Sequence, residues 1–177
     1  MSLANKITLA RIILIPIFII FMVLPVRYGN YIAAIIFSIA AITDILDGYF
    51  ARHMHETSVL GKFLDPLADK LIITAALIIL VENGTISSIP VILILSREFL
   101  ITGFRSIAAA NGKIIAASSL GKIKTISQDV SIILLLWGDY LFNIYIYPFS
   151  LAIFWIAVIL TVISGIDYIY KNKNLFT

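Results

Sequence analysis

Two linked stretches decide the fold: Asp44-Ile45-Leu46-Asp47-Gly48-Tyr49-Phe50-Ala51-Arg52 and, eight residues on, Gly61-Lys62-Phe63-Leu64-Asp65-Pro66-Leu67-Ala68-Asp69. Four aspartates stand where long apolar runs meet a short polar connection. If both flanks are helical, Asp44 and Asp47 share one helix face. Asp65 and Asp69 then share a face of the next helix. Carboxylates gathered at the edge of a low-dielectric region repel one another unless cations lie between them. Their oxygens suit Mg²⁺ or Mn²⁺, so the stretches predict a divalent-cation site.

Composition indicates a membrane protein. The 177 residues are 61% hydrophobic and 13% charged, and the mean hydropathy is +1.06. A soluble domain of this size cannot bury so much apolar surface. The absence of cysteine excludes disulfides, thiolate nucleophiles and Cys-ligated zinc. No small-residue cleavage site follows Leu24, so the first apolar run is expected to be a retained helix.

The chain is expected to form one domain over residues 1–177, an all-α integral membrane bundle of six transmembrane helices. Each span needs roughly 20 helical residues to cross about 30 Å of hydrocarbon. The predicted spans are about Thr8–Leu24, Tyr31–Arg52, Thr57 or Ser58 to Glu82–Gly84, Ser88–Pro90 to Asn111–Gly112, Ser118 or Ser119 to Asp139–Asn143, and Tyr147–Tyr170.

Two helix starts are less clear from the sequence. A short polar lead precedes the first span, with Asn5 as its expected cap. The third helix has an alternative start at Pro66 with Asp65 as cap, because a residue before proline avoids the helical region. The apolar spacing from Leu60 to Leu67 instead favours a kinked helix from about residue 58.

Basic residues mark one side of the predicted bundle. They lie at both termini and in the second–third and fourth–fifth connections, whereas the opposite connections hold only Arg27. The positive-inside rule therefore places both termini and the aspartates on the cytoplasmic side of the cell membrane, in a multi-pass protein. No nucleic-acid partner is expected.

Ionisable residues inside apolar spans are costly, by about 2.5–3.5 kcal/mol each on insertion scales. This chain has many of them, which predicts a polar cavity open to the cytoplasm. A basic group within it would hold the phosphate of a second substrate; its members are Arg97, Arg105, Lys122 and Lys124. The alternative is that the arginines form structural ion pairs with Glu98 or Asp129.

The glycines and the arginine of the two aspartate-bearing stretches also have two interpretations each. Gly48 and Gly61 leave room for a flat or bulky group beside the carboxylates, or they serve helix packing. Arg52 holds a phosphate, or it extends towards the membrane surface.

The complete pattern, Asp44-x-x-Asp47-Gly48-x-x-Ala51-Arg52-x8-Gly61-x-x-x-Asp65-x-x-x-Asp69, matches the signature of the CDP-alcohol phosphotransferases without departure. The chain resembles this family over nearly its whole length. The resemblance implies that a phosphatidyl or similar group moves from a CDP-linked donor to an alcohol, with release of CMP. It also implies two divalent ions and a homodimer in the lipid bilayer.

The resemblance assigns roles by motif position. Asp44, Asp47 and Asp65 would ligate metal, and Asp69 would be the base and border the second metal. Gly48 and Gly61 would make room for the cytidine, and Arg52 would assist with the diphosphate.

Weaker patterns narrow the expected substrates. The segments Arg97–Arg105 and Gly121–Thr125 resemble family members that use glycerol 3-phosphate, as does Asn5-x-x-Thr8-x-x-Arg11, which assigns Asn5 and Thr8 to the donor side. The predicted substrates are CDP-diacylglycerol and glycerol 3-phosphate. Inositol phosphate, serine or phosphatidylglycerol are alternative acceptors. A small ion transporter and a non-catalytic membrane scaffold are the alternatives outside the family.

Overall fold

Six helices make up the part of the chain that the computed structural model describes, residues 3–54, 59–110, 112, 119–141 and 146–172. Side chains are described for residues 8–43, 67–68, 70–110, 112, 119–137 and 147–172. The helices are α1 (Leu3–Val23), α2 (Gly29–Met54), α3 (Val59–Glu82), α4 (Ser88–Ala110), α5 (Ser119–Leu141) and α6 (Ile146–Lys171). These residues contain no strand, so the predicted all-α class is confirmed.

The helix ends agree with the predicted spans to within a few residues. Gly84 and Gly112, both with φ of 71°, follow the ends of α3 and α4 and accept the left-handed conformation that stops a helix. The start of the third helix near residue 58 is confirmed, because α3 begins at Val59 and runs through Pro66. The kink at Pro66 stays a prediction. The expected cap at Asn5 is wrong, since α1 begins at Leu3. Leu3, Ala4 and Lys6 favour helix strongly enough to extend it past the expected cap.

Helix packing gives the bundle an apolar end. Along the bundle α1 packs on α2 and α3, α5 packs on α2 and α6, and α4 packs on α6. The C-terminal halves of α1, α3 and α5 meet the N-terminal halves of α2, α4 and α6. The core side chains at most 1% exposed include Phe18, Phe37, Leu77, Ile94, Ile132 and Phe154.

Two aromatic residues connect helices at the apolar end. Trp137 Nε1 of α5 donates to Ser38 Oγ of α2 at 3.2 Å, and its ring meets Tyr31 edge-on at 5.1 Å between centroids. The Tyr147 hydroxyl of α6 donates to the carbonyl of Thr85, in the α3–α4 connection, at 2.8 Å.

The opposite half of the bundle is its polar end. Among the described residues eight polar side chains are no more than 3% exposed, and six of them lie in the N-terminal halves of α1 and α5 and in the C-terminal half of α6; they are Thr8, Arg11, Lys124, Gln128, Thr161 and Ser164. The other two, Ser131 and Ser150, lie in the C-terminal half of α5 and the N-terminal half of α6. The polar end also receives the motif-bearing halves of α2 and α3. The fold therefore separates an apolar core from a half that can carry chemistry.

One described segment, Tyr147–Lys171, is long and apolar enough to cross a membrane. Thr8–Val23 and Gly29–Thr43 are apolar but shorter over their described residues. The six-span bundle with a cavity open to the cytoplasm stays a prediction.

Candidate active site

The motif residues lie on two consecutive helices. Asp44 and Asp47 fall in the C-terminal half of α2, whereas Asp65 and Asp69 fall in the N-terminal half of α3. Because both segments are helical, each pair of aspartates occupies one face of its helix, as predicted. The side chains of several predicted site residues lie outside the described ones, and their roles stay predictions: Asn5, Asp44, Asp47, Gly48, Arg52, Gly61, Asp65 and Asp69.

The chemistry of the four aspartates fits a divalent cation. They lie on helices that are consecutive in the chain, in the C-terminal half of α2 and the N-terminal half of α3. Four carboxylates form an all-oxygen donor set, which suits Mg²⁺ or Mn²⁺. Among the side chains that the structure describes, no group of three or more His, Cys, Asp or Glu could hold a metal ion.

A cluster of charged side chains begins one residue after Asp69. Lys124 Nζ of α5 donates to Glu98 Oε1 of α4. Arg97 Nη1 donates to the same carboxylate oxygen at 3.1 Å. Lys70 Nζ of α3 lies 3.9 Å from Glu98 Oε2 and donates to the Glu98 backbone carbonyl at 3.5 Å. We call Lys70, Arg97, Glu98 and Lys124 the Glu98 cluster; it joins three helices.

The Glu98 cluster carries an excess of positive charge in a poorly solvated position. The exposed fraction of the side chain is 2% for Lys124 and 21% for Glu98. Three cations contact the Glu98 carboxylate, and among the described residues Asp129 also interacts electrostatically with Lys124. Buried charge without full compensation is unfavourable, and an anionic ligand would offset it.

A small cavity of about 40 Å³ opens beside this cluster. Its lining residues are Lys70, Ile73, Thr74, Leu95, Glu98, Phe99, Lys124, Thr125 and Gln128. Gln128 Oε1 is buried there and accepts no hydrogen bond from the described residues. The cavity has room for about three water-sized groups, so small polar groups fit it and acyl chains do not.

Arg97 also contacts α6, a helix without a predicted site residue. Its Nη2 donates to Ser164 Oγ at 3.2 Å. Gly165 is so close that a Cβ there would lie 3.1 Å from Arg97 Cγ. Arg105 lies over the ring of Tyr168, with 5.8 Å between its Cζ and the ring centroid.

The structure therefore divides the predicted basic group. Arg97 and Lys124 meet at Glu98, Arg105 contacts Tyr168, and Lys122 is exposed to solvent. The predicted alternative, an ion pair between Arg97 and Glu98, is present. Thr8, assigned to the donor side, is buried in α1 at 3% exposure.

Sequence reasoning missed the contribution of α6. The signal was a set of polar and small residues along one face of an apolar helix, at Thr161, Ser164, Gly165 and Tyr168. Such spacing is also typical of plain helix packing in membranes. Only the packing of α6 against α4 separates the two interpretations.

Known proteins resemble this chain over almost its whole length. It is 46% identical to a CDP-diacylglycerol–glycerol-3-phosphate 3-phosphatidyltransferase of Bacillus subtilis (strain 168), covering 97% of this chain and 95% of the relative. Relatives with the same name in Rickettsia bellii (strain RML369-C) and Escherichia coli (strain K12) are 37% and 36% identical. These matches cover 99% and 95% of this chain and 97% and 93% of the relatives. The model of the family described as CDP-alcohol phosphatidyltransferase matches residues 1–163, and the chain belongs to that family.

Proposed function

We propose that this chain is a membrane enzyme that transfers a phosphatidyl group from CDP-diacylglycerol to glycerol 3-phosphate. The products are phosphatidylglycerol phosphate and CMP. The names of its relatives over nearly the whole chain state these two substrates. The observation that carries the proposal is the Glu98 cluster, because it brings three cations together and its Lys70 directly follows Asp69 in α3.

Membrane insertion of the bundle is supported by its outer surface. Along α6, Ile156, Ile159, Ile163 and Ile166 are between 48% and 65% exposed. A contiguous apolar face of this kind is stable against lipid and unstable in water. We place both termini and the site on the cytoplasmic side of the inner membrane, and we expect a homodimer from the family resemblance.

The donor would bind at the motif-bearing halves of α2 and α3. Mg²⁺ or Mn²⁺ held by Asp44, Asp47 and Asp65, with Asp69 bordering a second ion, would supply charge neutralisation of the CDP diphosphate and of the leaving CMP. Gly48 and Gly61 would leave room for the cytidine. Further donor contacts would come from Asn5, Thr8 and Arg52.

The acceptor would bind at the Glu98 cluster. Its phosphate dianion would offset the excess positive charge of Arg97 and Lys124, with Arg105 and Lys122 nearer the polar end of the bundle. Asp69 would accept the proton of the primary hydroxyl as its oxygen attacks the β-phosphorus. The bond from that phosphorus to the CMP oxygen breaks as the new bond forms.

A direct acceptor comparison tests the proposal. Purified protein with CDP-diacylglycerol and Mg²⁺ is given glycerol 3-phosphate, inositol phosphate, serine or phosphatidylglycerol in separate reactions, and CMP release is measured. We expect rapid release with glycerol 3-phosphate alone and no release in excess EDTA. Faster release with another acceptor would overturn the substrate assignment, and equal release in EDTA would overturn the metal requirement.

A further inference from the structure

Arg97 is held from two sides, and one of them is α6. On α4 its Nη1 donates to Glu98 Oε1 at 3.1 Å. On α6 its Nη2 donates to Ser164 Oγ at 3.2 Å. A guanidinium is planar, so two bonds at its two terminal nitrogens fix the direction of the third nitrogen as well.

Ser164 is oriented to accept a hydrogen bond from Arg97. It is fully buried, at 0% exposure, and its hydroxyl donates to the Thr161 carbonyl at 3.2 Å. A serine hydroxyl has one proton and two lone pairs. With the proton directed at Thr161, the lone pairs are left for Arg97.

Gly165 gives the Arg97 side chain its room. A Cβ at this position would lie 3.1 Å from Arg97 Cγ, closer than ordinary van der Waals contact. Any other residue here would require the stem of Arg97 to shift by a few tenths of an ångström. Ser164 and Gly165 thus act on the same side chain. Ser164 binds the guanidinium of Arg97, and Gly165 leaves space for its Cγ.

The third guanidinium nitrogen of Arg97 is Nε, which bonds neither to Glu98 nor to Ser164. Arg97 Nε is buried and donates to no described residue. A buried donor without a partner is unusual, and a bound anion or water would satisfy it. It lies in the Glu98 cluster, where positive charge is in excess.

We propose that Ser164 and Gly165 are positioning residues for acceptor binding, which seat Arg97 so that its Nε–H faces the phosphate of the acceptor. This inference rests on the proposed function, since it takes glycerol 3-phosphate as the acceptor. It adds α6 to a site whose other residues lie on α2 and α3, which carry the motif, on α4, which carries Arg97, and on α5, which carries Lys124.

Steady-state kinetics with matched controls test the proposal. Ser164→Ala should raise the KM for glycerol 3-phosphate about tenfold, the size of one hydrogen bond to a charged group. The KM for CDP-diacylglycerol and kcat should stay within about twofold, because the contact orients a binding residue. The control is Ser150→Ala: Ser150 is equally buried in α6 and donates to the Tyr147 carbonyl at 2.9 Å, far from Arg97.

Gly165→Ala provides an independent second variant. It should also raise the KM for glycerol 3-phosphate, because the added methyl group displaces Arg97. Gly103→Ala is its control, since a Cβ at Gly103 meets nothing within 4 Å in the described structure. Equal effects of the two alanine substitutions would overturn the role of Gly165.

A double-mutant cycle separates positioning from general stability. Arg97→Lys replaces the planar guanidinium, with its two terminal nitrogens, by a single ammonium group. Adding Ser164→Ala to Arg97→Lys should therefore change the KM for glycerol 3-phosphate no further. Additive effects of the two substitutions would overturn the inference, and so would an unchanged acceptor KM in Ser164→Ala. The proposed function would still stand in either case if the wild-type protein uses glycerol 3-phosphate. If the wild-type protein does not use glycerol 3-phosphate, the proposed function fails instead.

Discussion

Lys124 of α5 donates a hydrogen bond to the Glu98 carboxylate of α4, with side chains 2% and 21% exposed. A lysine this buried needs a carboxylate beside it, because an ammonium group removed from water loses its hydration. Glu98 also accepts from Arg97, so one carboxylate supports two cations. The stability of the bundle and the proposed acceptor binding therefore share this residue.

Removing the Glu98 charge should destabilise the protein strongly. Glu98→Gln leaves Lys124 and Arg97 without their shared carboxylate, and breaking one partner of a buried pair costs about 3–5 kcal/mol. Equilibrium denaturation in detergent measures the free energy of unfolding. The double substitution Glu98→Gln with Lys124→Met should lose less than Glu98→Gln alone, because it also removes the stranded lysine.

The matched control is an ion pair near the end of α6. Lys171 Nζ lies 2.9 Å from Asp167 Oδ2, and the lysine side chain is 64% exposed. Asp167→Asn should cost less than about 1 kcal/mol, as exposed pairs usually do. A loss equal to that of Glu98→Gln would show that burial is not what makes the Glu98 pair important.

The two lysines of α5 should differ in acceptor binding. Lys124 lines the cavity beside Glu98, whereas Lys122 is exposed on the same helix. Lys124→Met should raise the KM for glycerol 3-phosphate by at least about tenfold, the loss expected for a charge-assisted hydrogen bond. Lys122→Met should have a smaller effect, and the reverse order would place the phosphate outside the Glu98 cluster. CMP release at varied acceptor concentration distinguishes the two results.

Much of the fold could be predicted because its signals are local. Long apolar runs give the number of helices, and glycines such as Gly84 and Gly112 stand where helices end. The start of α1 at Leu3 differed from prediction, since good helix formers extend a helix past a candidate cap. At Pro66 the apolar spacing predicted the observed helix better than the local rule for residues before proline.

The site was predictable only where its residues are close in the chain. The aspartate spacing placed two pairs on faces of consecutive helices without knowledge of packing. The bond from Arg97 to Ser164 joins residues 67 positions apart, and that from Lys124 to Glu98 spans 26. Such contacts depend on which helices pack together, and a single sequence does not contain that information in a local pattern.

The apolar end should govern stability without affecting the site. Leu77 of α3 is fully buried, whereas its neighbour Ile78 is 52% exposed. Leu77→Ala should cost about 2–5 kcal/mol through lost packing and a cavity. Ile78→Ala should stay within about 0.5 kcal/mol. The KM for glycerol 3-phosphate should be unchanged in both variants; a raised KM in Leu77→Ala would mean that the two ends are coupled.

Two motif aspartates can be told apart by a metal titration. Asp44 is proposed only as a ligand, so Asp44→Asn should weaken metal binding, and excess Mg²⁺ should restore part of the rate of CMP release. Asp69 is proposed as the base, and its loss should lower the rate by about 10²–10⁴-fold. Excess Mg²⁺ cannot replace a proton acceptor, so the Asp69→Asn rate should stay low at every metal concentration. If Mg²⁺ rescues Asp69→Asn as well as Asp44→Asn, Asp69 acts only through the metal and the proton leaves by another route.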